Sequence, residues 1–196
     1  SSNPLRAWVS KLFCVALVGF VSVVFGLFCC TISFSPLVLV SGCRNQDHHY
    51  AGWTKGEVKL LEEAEDEAFA SGALGKGAAV VPVEGKVVAP VDGTIVTLFP
   101  TNHAIAIETN SGVEILIHVG LDTVQLDGKY FYPKVKEGDK IKKGDLILEF
   151  DIDEIKKAGY VLTTPIIVTN TDEYLDVLEM KKENVEFGDE LITIVK

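Results

Sequence analysis

The chain is 196 residues long, 47% hydrophobic and 23% charged, which excludes a low-complexity disordered polymer and suits one folded domain with an appendage. The formal charge is −10, and residues 56–196 alone hold 14 basic and 27 acidic side chains. A surface this acidic repels phosphate backbones, which argues against nucleic acid and for a basic protein as partner.

All four cysteines, Cys14, Cys29, Cys30 and Cys43, precede residue 44, so residues 44–196 form neither an internal disulfide nor a thiolate metal site. Leu12 to Cys30 is a stretch of 19 residues without a charge. At ~1.5 Å rise per residue it is long enough to cross a hydrocarbon core of ~30 Å. Three readings compete for it: a membrane anchor, a signal peptide, or sequence not native to the domain on its C-terminal side. Val40-Ser41-Gly42-Cys43 has the form of a lipoprotein processing site, but the apolar region before it outruns the ~7–15 residues of a signal core. Arg6 and Lys11 before the span against Arg44 after it place the C-terminal part outside, which conflicts with the function that the main domain's own residues imply. Arg44 to Thr54 is polar, aromatic and without periodicity, and is expected to be a linker. The adjacent His48 and His49 lack a third ligand nearby, so a solvated pair is favoured over a metal site. These features make residues 1–55 a hydrophobic segment plus linker, and residues 56–196 the main domain.

Gly72 to Gly77 (GALGKG) lacks the spacing of a nucleotide-binding loop and is expected to be a flexible surface loop. Residues 78–196 are short β-branched runs separated by Gly, Asp, Asn and Pro, with helical exceptions expected only at Asp153–Ala158 and Glu173–Val177. The predicted fold is therefore all-β, a barrel or sandwich. Val135-Lys136-Glu137-Gly138-Asp139-Lys140-Ile141 and Val185-Glu186-Phe187-Gly188-Asp189-Glu190-Leu191 share V-x-x-G-D-x-[IL], which suggests a duplicated hairpin motif.

The β region holds two histidines, His103 and His118, on either side of a turn at Asn110-Ser111-Gly112. If Thr109 faces Gly112, His103 stands directly opposite His118, with Cβ atoms ~4.5–5.5 Å apart on one face. A three-residue loop shifts the pairing by one and puts the rings on opposite faces, so the pairing of the rings hangs on register. His118 lies in the apolar run Ile115 to Gly120, which holds one titratable ring at a greasy surface. A neutral imidazole is a nitrogen nucleophile, and a second ring beside it can hydrogen-bond the captured group.

At these residues the chain resembles a known family. Ala89-Pro90-Val91-Asp92-Gly93-Thr94-Ile95, Thr101-Asn102-His103-Ala104, Ser111 to Val124 (SGVEILIHVGLDTV) and Glu137-Gly138-Asp139-Lys140-Ile141 occur in the right order for the glucose-type enzyme IIA domain of the bacterial phosphoenolpyruvate-dependent sugar phosphotransferase system. The likeness runs from about Gly56 to Lys196, and the usual opening Ser-Pro-x-x-Gly segment is missing before Glu57-Val58. The resemblance implies a phosphotransferase component of a sugar permease. HPr, a small phosphocarrier, gives its phosphoryl group to His118, and His118 passes it to a cysteine of a IIB domain. His103 then hydrogen-bonds the phosphoryl oxygens and Thr101 orients His103, with no metal and no cofactor. It also implies a docking surface in which Phe69, Leu116 and Val119 pack against the partner and Asp66 and Asp122 meet its basic groups. Such a domain is cytoplasmic, and it is tethered to the inner face of the membrane if the N-terminal span is the end of a IIC domain.

Two other classes compete. Biotinyl and lipoyl carrier domains share V-x-x-G-D turns, and Met180-Lys181 has the form of their modified lysine, although Lys181 lies outside a tight hairpin. A purely regulatory binding protein is the second, since this family also controls other proteins in its unphosphorylated form. The sequence does not name the sugar.

Overall fold

The structure is a computed structural model that describes residues 48–195. The apolar segment, its orientation and all four cysteines lie outside the described residues. No helix among the described residues is long and apolar enough to cross a membrane.

Alternation of apolar and polar residues, punctuated by Gly-Asp turns, gives fourteen strands among the described residues. In chain order they are β1 (His48–Ala51), β2 (Gly56–Lys59), β3 (Lys76–Pro82), β4 (Lys86–Val88), β5 (Gly93–Leu98), β6 (Ala104–Thr109) and β7 (Glu114–His118). Next come β8 (Phe131–Pro133), β9 (Lys140–Ile141), β10 (Leu146–Phe150), β11 (Thr164–Val168), β12 (Asp176–Glu179), β13 (Asn184–Val185) and β14 (Glu190–Val195). They form one eight-stranded sheet, in the order β13-β2-β3-β11-β7-β6-β5-β9, and two three-stranded sheets, β4-β10-β8 and β1-β14-β12. The fold is all-β, as the residue pattern predicts.

The period-two alternation places the site. In β7, Ile115 and Ile117 enter the main core with Ile105 and Ile107 of β6, while Leu116 and His118 face the other way. In β11, Ile166 joins that core and Ile167 joins a smaller cluster with Leu61, Ala64, Phe69, Ala79 and Leu121. The smaller cluster lies beneath α1 (Glu67–Ala70), so the large sheet is covered on both faces at β3 and β11. His118 stands where that cover ends, beside Phe69.

The Gly-Asp turns repeat in detail. Asp139 and Asp189 accept from the backbone N–H groups of Lys136 and Glu186, at 3.0 and 3.1 Å, beside left-handed Gly138 and Gly188. A third copy, unnoticed in the sequence, joins β9 to β10, where Asp145 accepts from Lys142 N–H at 2.8 Å beside left-handed Gly144.

Three local expectations are corrected. Residues 48–54 are not a linker: β1 pairs with β14, and Tyr50, Ala51, Trp53 and Thr54 are buried. Apolar aromatic side chains flanked by polar ones there read as loop only because a four-residue strand is too short to show a period. The helix expected at Glu173–Val177 is a single 3-10 turn, Thr171–Glu173, and Asp176 already pairs with Val195 in β12. A run this short carries the nucleation cost of a helix without enough turns to offset it. The Gly72–Gly77 loop ends early, since Lys76 and Gly77 are already in β3, opposite Val168 and Ile167. The helix at Asp153–Ala158 forms as α2 (Ile152–Lys157), capped by Asp151, which accepts from the N–H groups of Asp153 and Glu154.

Candidate functional site

The hairpin β6–β7 pairs Ala104 with His118 and Glu108 with Glu114. This is the shifted register, the one expected to set the two imidazoles on opposite faces. The rings nevertheless meet, with centroids 4.7 Å apart and planes at 80°. The reason is that His103 precedes β6. Asn102 is left-handed, φ 55°, so the chain turns into the strand and His103 does not follow the pleat. Its backbone still continues the ladder, its carbonyl accepting from Val119 N–H at 2.8 Å. Ala104, a small residue, stands opposite His118.

His103 is only 5% exposed, with the Phe99 ring at 5.8 Å and Nδ1 2.6 Å from the Thr101 hydroxyl. Burial, and next the neighbouring His118, push it down to a pKa of about 4. His118 is half-buried, with the Phe69 ring at 5.2 Å. Its Nδ1 lies 2.7 Å from the Gly120 carbonyl. A carbonyl only accepts, so Nδ1 carries the proton and Nε2 keeps the free lone pair. Burial lowers the His118 pKa, against the opposing pull of the Gly120 bond and then of Asp66 and Asp122. Both rings are therefore neutral near pH 7.

An NMR titration of the imidazoles is expected to show His103 turning over near 4 and His118 below the ordinary 6.5. An unfolded chain takes up these protons near 6.5, whereas the native state resists them. Stability then falls as pH drops below about 6.5 and levels off beneath the native midpoints. A His118 midpoint at or above 6.5 would show that the Gly120 bond and the acids, not burial, govern the ring.

The expected docking residues divide. Phe69 is buried and spends its ring on His118. Asp66 caps α1, accepting from Ala68 N–H at 2.8 Å, and Asp122 is exposed beyond Gly120 in a left-handed conformation. Leu116 is half-buried on the face of His118, in a groove with Val96, Phe99 and Ala106. Val119 is corrected: alternation turns it to the inner face, where it is 1% exposed in the main core and offers a partner nothing. Sequence reasoning missed Val96, Phe99 and Ala106. Their signal was there in the outward positions of β5 and β6 and the turn between them, once the register is known. The groove holds about 230 Å³, below the ~300 Å³ and more of typical small-molecule sites, and suits a docking face better than a sugar pocket.

Lys181 lies in the connection from β12 to β13, strands of two different sheets, and not at the tip of a tight hairpin where a carrier lysine is presented. Among the described residues no three His, Cys, Asp or Glu side chains stand together as metal ligands. His49 bonds Thr193 across β1 and β14.

Residues 50–174 match the family model of the phosphoenolpyruvate-dependent sugar phosphotransferase system, EIIA 1. The chain belongs to this EIIA family. The EIIA chain is 52% identical over 141 residues to the PTS system beta-glucoside-specific EIIBCA component of Halalkalibacterium halodurans, a match covering 72% of this chain and 22% of that one. It is 55% identical over 120 residues to the component of the same name from Bacillus subtilis strain 168, covering 61% of this chain and 20% of the relative. It thus spans about a fifth of the length of these relatives. Among solved structures, the glucose permease IIA from Mycoplasma capricolum superposes with a TM-score of 0.72 at 38% identity, covering 76% of this chain and 96% of that one.

Proposed function

We propose that this EIIA chain is a phosphoryl relay in sugar uptake, accepting the group from phosphorylated HPr on His118 and passing it to the cysteine of a IIB domain. The carrying observation is the pair of facing neutral imidazoles, one of which has its Nδ1 proton held by the Gly120 carbonyl. In the first step the Nε2 lone pair of His118 bonds phosphorus as the bond from phosphorus to the donor's ring nitrogen breaks. The bonding pair returns to that nitrogen. His118 Nδ1 keeps its proton, so the ring gains positive charge, which the Gly120 carbonyl and the acids Asp66 and Asp122 offset. In the second step the cysteine thiolate bonds phosphorus and the pair of the breaking P–N bond returns to Nε2. Both steps pass through a loose transition state that needs alignment and charge stabilisation more than covalent help.

His103 supplies that alignment. A neutral His103 that accepts from the Thr101 hydroxyl at Nδ1 carries its one proton on Nε2, ready to donate to a phosphoryl oxygen. Burial keeps the ring uncharged before the phosphoryl group arrives. The EIIBCA relatives support a IIB and a IIC domain as the working partners, and hence a cytoplasmic place for the site.

The test is incubation of the chain with phosphoenolpyruvate, enzyme I and HPr, then mass spectrometry. An acid-labile phosphate on the peptide bearing His118 is expected. A chain left unphosphorylated, or one modified at Lys181 when expressed with a biotin or lipoyl ligase, overturns the relay.

The same face accounts for docking. Val96, Phe99 and Leu116 present apolar surface near the imidazoles, and Asp66 and Asp122 stand close enough to His118 to act on its charge. Leu116→Asp places an unpaired carboxylate in the buried centre and is expected to weaken HPr binding by about 2–4 kcal/mol. Asp122→Asn is expected chiefly to lower the association rate and its salt dependence. NMR titration with HPr at two ionic strengths separates the two effects. A Leu116 variant that binds as tightly as wild type moves the docking surface elsewhere.

A further inference from the structure

The identity of the nucleophilic nitrogen depends on one carbonyl, that of Gly120, standing 2.7 Å from His118 Nδ1. Each peptide unit from His118 to Leu121 is anchored separately. The 118–119 unit is held through Val119 N–H, which donates to the His103 carbonyl at 2.8 Å. The 120–121 unit is held through Leu121 N–H, which donates to the Val161 carbonyl at 2.9 Å. In a trans peptide the N–H and C=O point in opposite directions, so this bond aims the Gly120 carbonyl back at the imidazole. The middle unit, 119–120, is held by a side chain: the Thr123 hydroxyl donates to the Val119 carbonyl at 2.6 Å.

Thr123 acts at two points. Its methyl carbon lies 2.6 Å from where a Cβ on Gly120 would stand, so it packs onto the Gly120 backbone, which is left-handed at φ +73°. It is 0% exposed, so solvent does not replace its hydroxyl. It also opens the 3-10 turn Thr123–Leu126, which fixes its own backbone. The turn is thus locked by two main-chain anchors and one side chain, and only the side chain is open to substitution.

We propose that Thr123 is a positioning residue for the relay: its hydroxyl and methyl groups hold the Val119–Gly120 turn so that the Gly120 carbonyl keeps the proton on His118 Nδ1 and leaves Nε2 as the nucleophile. The catalytic meaning of this rests on the relay function above, but the tautomer itself does not. Thr123→Val keeps the shape and removes the donor, leaving a buried carbonyl without the bond that fixes it. With the turn loosened, the proton is shared between the two ring nitrogens, and the fraction of His118 with a free Nε2 falls.

The test has two independent readouts. The ring ¹⁵N shifts and two-bond couplings of His118 in the unphosphorylated protein are expected to show one Nδ1–H tautomer in wild type, a mixture in Thr123→Val, and the wild-type form again in Thr123→Ser. Acceptance from phosphorylated HPr is expected to slow about tenfold at saturating donor in Thr123→Val, with KM unchanged, and to recover in Thr123→Ser. A folded Thr123→Val whose His118 stays wholly Nδ1–H overturns the proposal, whatever its rate. A wild-type protein that takes no phosphate defeats the relay function instead, and the tautomer comparison still decides the clamp. Should Thr123→Val not fold, the wild-type protein answers alone: the Thr123 hydroxyl proton is expected to exchange slowly with water, and fast exchange overturns the clamp.

Discussion

Replacing His118 with Gln is expected to reduce phosphate acceptance from phosphorylated HPr to nothing measurable. Gln keeps a side chain of similar reach and can still donate from its amide to the Gly120 carbonyl, so the turn beneath it is preserved. What it lacks is the nucleophile, because an amide nitrogen delocalises its lone pair into the carbonyl, whereas neutral His118 holds one free at Nε2. His103 does not take over. It lies behind the site at 5% exposure, with Nδ1 engaged by Thr101. The measurement is the rate of acid-labile labelling, run beside an amide NMR spectrum that shows the variant folded. Labelling at an undiminished rate would remove His118 from the mechanism, and with it the proposed relay.

Much of the fold was legible because the relevant signals are local. The β-branched runs, the Gly-Asp turns and the apolar stretch around His118 each depend on a few adjacent residues, and together they give an all-β domain with a histidine on one face. The register of the hairpin was not legible. Asn110-Ser111-Gly112 fits two loop lengths, and which one forms is decided by packing on both faces of β6 and β7, not by the turn itself. Strand alternation was also expected of His103. The left-handed turn at Asn102 frees it from that rule, so the rings meet in a register in which alternation alone would keep them apart.

The same kind of long-range pairing hid other parts of the site. The resemblance names Val119 as a docking residue, yet strand alternation sends it into the main core. Tyr50 and Trp53 looked like linker because their partners, in β14 and the core beneath the small sheets, lie far along the chain. Thr123 carried no signal at all, since a threonine after an aspartate reads as an ordinary turn residue until the carbonyl it holds is located.

Replacing His103 with Gln is expected to leave acceptance largely intact and to slow onward transfer to IIB by about two orders of magnitude, the usual consequence of weakening one positioned donor in a transition state. The two steps respond differently because they make different demands on the ring. In acceptance, the phosphoryl group arrives still bound to its donor, and the His118 Nε2 lone pair supplies the attack. In onward transfer, the phosphoryl group is already on His118, and its oxygens must be held in line for the cysteine by a donor from this chain. His103 is suited to that task by its rigidity: the 2.6 Å contact to Thr101 fixes the ring, and Phe99 packs against its edge. Gln offers an amide donor with one more rotatable bond and no ring for Thr101 and Phe99 to hold, so the donor survives while its placement is lost. Single-turnover transfer from phosphorylated chain to a IIB domain measures the effect, with acceptance from HPr measured on the same preparation. Normal onward transfer in a folded variant would mean that the phosphoryl oxygens are held by something other than His103, and that the 4.7 Å ring contact serves packing alone.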